Sequence, residues 1–125
     1  MDAAREVALS LPRSYEALVG GRVKFRVGRI VFLAFSADES LMGFAFPREM
    51  RHALIHSDPQ KFVMPRPSDL RYNWVRVHLD AIDDPELRAL VLDAWAIVVP
   101  KSVAAAHVPF PVSSSSTARP RTFRP

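Results

Sequence analysis

A chain of 125 residues has room for one domain, whose core can hide roughly two-thirds of the unfolded chain's surface. With 49% apolar and 24% charged residues it has the composition of a folded globular protein, which excludes wholesale disorder. Cysteine is absent, so disulfides, thiolate nucleophiles and cysteine-based metal sites are excluded, and the formal charge of +4 hints at an acidic partner.

No apolar run approaches the ~18–20 residues that cross a bilayer, and Asp2 and Glu6 stand where a secretory leader carries its basic segment. Neither export nor a membrane span is expected, and a reducing cytoplasm suits a cysteine-free chain. The charge is unevenly spread. Residues 1–12 carry −1, residues 13–76 carry +5, residues 77–100 carry −4, and Arg119, Arg121 and Arg124 give the C-terminus its own surplus.

Asp2 is placed to cap a first helix, in which Ala4, Val7, Ala8 and Leu11 recur at helical spacing until Pro12 ends it. From Ser14 to Pro47 the pattern alternates with period two. Gly20-Gly21, Gly28 and residues 37–40 divide it, predicting strands at 15–19, 22–27, 30–35 and 41–46 in an antiparallel meander. Pro47 opens a second helix, with Met50, Ala53, Leu54 and Ser57 as its inner stripe, and Asp58-Pro59 ends it. Residues 62–64 read as a short edge strand, residues 65–69 as a proline-rich loop, and residues 72–79 as a strand with clean alternation. A long helix follows, with Asp84 as N-cap, Pro85 as its first residue and Glu86 near the positive end of its dipole. Leu87, Leu90, Val91, Ala94, Trp95 and Val98 line one face. Pro100 breaks it, and residues 101–107 predict a short terminal helix. The Ser, Pro and Arg run beyond offers nothing to bury. The expectation is a domain over 1–108 and a disordered tail over 109–125. The fold class is α+β, a two-layer sandwich of five to six antiparallel strands with helices on one face.

Several strings occur in a telling order. They are Ala8-Leu9-Ser10-Leu11-Pro12, Lys24-Phe25-Arg26-Val27-Gly28, Trp74-Val75-Arg76-Val77 with Leu79-Asp80, and Asp93-Ala94-Trp95 followed by Val99-Pro100-Lys101. Over about residues 3–107 the chain resembles the MmcQ/YjbR family of small bacterial proteins. That resemblance implies a frataxin-like (CyaY-like) fold and a DNA-binding role. Arg29 stands where the family pattern leads one to expect a second turn glycine, and the arginine-bearing tail lies outside the pattern.

If Val23, Phe25 and Val27 face the core, then Arg22, Lys24 and Arg26 project together from the other side. By the same parity, Val75, Val77 and Leu79 point inward while Tyr72, Trp74, Arg76 and His78 point outward. The sheet face away from the helices then carries cations for phosphates and two aromatic rings for bases or sugars. Arg22, Lys24, Arg26, Tyr72, Trp74 and Arg76 are the expected nucleic-acid-binding residues. The bland reading is that an open sheet face is simply polar. A protein partner on the same face, or on the 62–64 edge, is the alternative occupant, and the chain is expected to be a monomer.

No enzyme is expected, because no nucleophile, base and orienting group can be assembled. His52 and His56 have helical metal-site spacing, but without a third ligand they read as a solvated face. The first helix lacks the dense acidic surface with which frataxins hold iron, so neither a metal nor another cofactor is expected. Asp84 and Glu86 are accounted for by the helix start, Asp93 by an outer face, and Gly20-Gly21 by a turn without a phosphate-loop pattern. The tail arginines could follow a phosphate backbone, or serve only to solubilise.

Overall fold

The structure, a computed structural model, describes residues 1–107, and the expected tail lies outside them. The elements are α1 (Asp2–Ser10), β1 (Ser14–Val19), β2 (Arg22–Val27), β3 (Ile30–Phe35), β4 (Leu41–Ala45), α2 (Arg51–Ser57), β5 (Phe62–Val63), β6 (Trp74–His78), α3 (Asp84–Val98) and α4 (Lys101–His107). The strands form one antiparallel sheet in the order β1-β2-β3-β4-β6-β5. The meander is β1 to β4. The chain then passes through α2, lays down the short edge strand β5 and returns to insert β6 between β5 and β4.

Register separates the two faces. Phe25 lies opposite Leu33, Leu33 opposite Phe44 and Phe44 opposite Val75, and this row is sealed under the helices. The neighbouring row, Lys24, Ala34, Gly43 and Arg76, points the other way. A β-bulge after Phe25 leaves Phe32 without a partner on β2, so Val31 faces outward with Arg26 while Phe32 and Leu33 are both buried. Alternation alone would send one of that pair into solvent.

Helices α1 and α3 pack on each other and on the sealed side of the sheet, giving the expected two-layer α+β sandwich. Trp95, almost wholly buried, donates its indole N–H to the Pro12 carbonyl at 2.8 Å, which ties α3 to the connection between α1 and β1. His107 at the end of α4 packs its ring edge-on to the same indole, with centroids 5.1 Å apart. The turn between β3 and β4 is closed by Asp38, whose carboxylate accepts from the Ser36 and Ser40 hydroxyls and the Ser40 N–H. These bonds hold its pKa down at about 2.

Four local expectations need correction. The N-cap of α3 is Asp83, which has extended backbone and accepts from the Glu86 N–H at 3.0 Å. Asp84 is already helical and holds Arg88 one turn on. Asp2 caps nothing; it sits in the first turn of α1, 3.7 Å from Arg5. The second helix starts late, after a 3₁₀ turn over Arg48–Met50, and its inner face is Arg51, Leu54 and Ile55. Met50, Ala53 and Ser57 are exposed. Finally, β6 begins at Trp74, so Tyr72 belongs to the loop before the strand. The β2–β3 hairpin accounts for Arg29: only Gly28 has positive φ, at 61°. A two-residue loop with glycine at its first position suffices, and the second can carry a side chain.

Candidate nucleic-acid interface

The helix-free side of the sheet is a trough. Its floor is made of small residues on the central strands, Ala34, Gly43 and Ala45, and the concave space of about 1000 Å³ to which it belongs continues past the β3–β4 end of the sheet to residues 97–100 at the end of α3. Arg22 and Lys24 of β2 form one wall and Arg76 of β6 the other, with the Trp74 ring reaching inward from β6 over Gly43. The loop carrying Arg66, Asp69 and Tyr72 closes one end, together with Arg29 in the β2–β3 turn. Lys24 and Arg76 lie in one cross-strand row three strands apart, which sets their Cα atoms about 14 Å from each other at roughly 4.8 Å per strand.

Of the six residues expected from the sequence, Arg22, Lys24, Tyr72, Trp74 and Arg76 line this space, and the parity that joins Lys24 to Trp74 holds. Arg26 shares the open side, opposite Val31 and Tyr15, but lies outside the trough. Its Nε is buried without a hydrogen-bond partner among the described residues. Arg76 is partly committed: its Nε and Nη2 donate to the Met64 carbonyl at 3.0 and 2.7 Å, which leaves Nη1 to the trough.

Trp74 is half-buried, and glycine at position 43 is the reason it can lie down. A Cβ built there would come within 2.5–2.6 Å of three indole atoms, so the ring rests across bare backbone of the neighbouring strand. Tyr72, 51% exposed, stands at the rim with the Arg71 guanidinium 4.9 Å from its ring centre and bonded to its hydroxyl at 2.8 Å.

Sequence reasoning missed Arg51, the residue that organises this rim. It is 7% exposed and donates to the carbonyl oxygens of Leu70 at 3.0 Å, Tyr72 at 3.2 Å and Trp74 at 3.1 Å. Arg48 adds a bond to the Arg71 carbonyl, and the Arg48 N–H donates to the Asn73 side chain at 3.1 Å. Nothing in the string Arg48-Glu49-Met50-Arg51 distinguishes the buried arginine from a solvated one. Arg29 and Arg66 were also unforeseen in the lining. Arg29 had a signal, since a hairpin turn beside a cationic strand projects from the same end.

The two faces differ in how their cations are partnered. On the helix side Arg5 pairs with Glu16 at 3.0 Å, Arg88 with Asp84 and Glu6 at 2.7 Å each, and Lys61 with Glu86 at 2.7 Å, while Lys101 at the start of α4 has no carboxylate within 4.0 Å among the described residues. The bond to Asp84, then that to Glu6, pushes the Arg88 guanidinium still higher than its ordinary value. Among the described residues, Arg22, Lys24, Arg26, Arg29 and Arg76 have no carboxylate within 4.0 Å. The trough's single carboxylate, Asp69, is held by Arg66 at 3.3 Å. His52 and His56 are exposed, and among the described residues no group of three potential metal ligands comes together. No helix is long and apolar enough to cross a membrane among these residues.

The fold, a two-layer sandwich of one antiparallel sheet and helices packed on its sealed side, places the chain in the α+β class. Residues 9–97 match the sequence profile of the YjbR family, and the chain belongs to that family. It is also similar in fold to the crystal structure of the Deinococcus radiodurans protein DR2400, a DUF419 domain. That likeness has a TM-score of 0.69 and 22% identity over 81% of this chain and 79% of that one. No curated protein matches the chain.

Proposed function

We propose that this protein is a nonenzymatic DNA-binding module whose working surface is the open sheet face. Arg22, Lys24, Arg29 and Arg76 meet phosphates, Arg26 flanks them, and Trp74 and Tyr72 meet bases or sugars. The observation that carries the reading is the segregation of charge. Arg5, Lys61 and Arg88 on the helix side are neutralised within the protein, whereas Arg22, Lys24, Arg29 and Arg76 on the open side are left for an external anion. A merely solvated face does not require small residues at its centre, nor an indole lying between its charged walls. A protein partner on the same face is the second reading. The 62–64 edge offers it little, because β5 has two residues and so few backbone groups to pair.

Binding of DNA to the full chain, measured by anisotropy over a series of salt concentrations, tests the proposal. With about four phosphates neutralised, log K should fall against log salt with a slope of about −3 to −4. No detectable binding at low ionic strength, or binding indifferent to salt, contradicts it.

A further inference from the structure

The geometry points to an unpaired DNA strand, and not a duplex, as the occupant of the trough; this inference rests on the DNA-binding reading and narrows it. Three observations carry it. The first is width. A sheet of six strands spans about 24 Å, twice the roughly 12 Å of a major groove that admits a two-stranded ribbon, so this face cannot enter a duplex to read base edges. DNA has to come to the face.

The second is the placement of Trp74. A side chain that kinks a duplex stands proud as an apolar wedge, whereas this indole lies across Gly43 between the cationic walls. Stacking on it requires a base that leaves its partner and descends between Lys24 and Arg76. Those walls, about 14 Å apart at their Cα atoms, admit one strand with its base and not two paired ones. The third is the arrangement of charge. Arg22 and Lys24 are successive outward residues of β2, about 6.8 Å apart, and Arg29 extends the same side toward the rim where Tyr72 offers a second ring. A line of cations beside aromatic platforms tracks one backbone while the bases stack inward, the recognition mode of sequence-tolerant single-strand binders.

The test titrates the full chain with a short oligo(dT) and with a blunt-ended duplex of equal phosphate number, at low and moderate salt, reading tryptophan emission and anisotropy. Trp95 is sealed in the core, so ligand-dependent quenching reports Trp74. The expected result is at least about tenfold tighter binding of oligo(dT), with quenching that Trp74→Leu abolishes while weakening oligo(dT) binding about five- to a hundredfold. Should Trp74→Leu not fold, Tyr72→Ala on the exposed loop is expected to weaken oligo(dT) by several-fold and leave the duplex unchanged. Equal or tighter binding of the duplex, or oligo(dT) binding without quenching, overturns the single-strand inference and leaves DNA binding standing. Binding of neither DNA overturns the DNA-binding reading and this inference with it.

Discussion

Position 43 shows how much one missing methyl group can decide. Because the Trp74 ring occupies the place of a Gly43 side chain, Gly43→Ala forces the indole off the floor of the trough or the two strands apart. The expected cost is about 1–2 kcal/mol in urea denaturation, with a red shift in Trp74 emission as the ring moves into water; unchanged stability and unchanged emission would show that the ring does not rest there. At this scale the sequence was legible where alternation alone decides. Lys24 and Trp74 share a face because each sits next to a buried valine or phenylalanine, and that much follows from period two. Arg51 was not legible, because its burial depends on carbonyl groups some 20 residues away that its neighbours do not announce.

Among the elements, the loop from Leu70 to Asn73 matters most to the candidate site, and it has no apolar side chain sealed in the core to hold it. Its conformation comes instead from hydrogen bonds, above all the three that Arg51 donates to the carbonyl groups of Leu70, Tyr72 and Trp74, with Arg48 adding two more. Replacing Arg51 with Met preserves bulk but strips three carbonyls of a charge-assisted donor. The expected loss is about 2–4 kcal/mol by denaturant unfolding, with faster hydrogen exchange over residues 70–74; a loss below about 0.5 kcal/mol would contradict the role assigned to it. Strand and helix existence was readable throughout, since residues 22–27, 30–35 and 101–107 form the elements their patterns predicted. Boundaries were less so. Asp83 and Asp84 are chemically equivalent as caps, and only the backbone turn at Asp83 selects between them. Likewise, Tyr72 continues the alternation of β6 in sequence, yet Arg51 and Arg48 pull the chain into a loop before the strand begins.

For the whole molecule, a net charge of +4 says little until the fold sorts it. The acidic stretch over 77–100 goes to α3 and its approach, where Asp84 and Glu86 neutralise Arg88 and Lys61, while the basic middle of the chain supplies the open sheet face. The segment charges already separated these two populations in sequence. Which cations would find partners was not readable, because the ion pairs join residues far apart in the chain, as Arg88 joins Glu6. The most direct measurement compares the salt dependence of DNA binding for two variants with the same change in net charge, Lys24→Gln on the open face and Arg88→Gln on the helix face. Lys24→Gln is expected to make the slope of log K against log salt shallower by about 0.7–0.9, and Arg88→Gln to leave it unchanged. Equal effects from the two variants would mean that DNA senses only the overall charge, and would contradict a binding surface on the open side of the sheet.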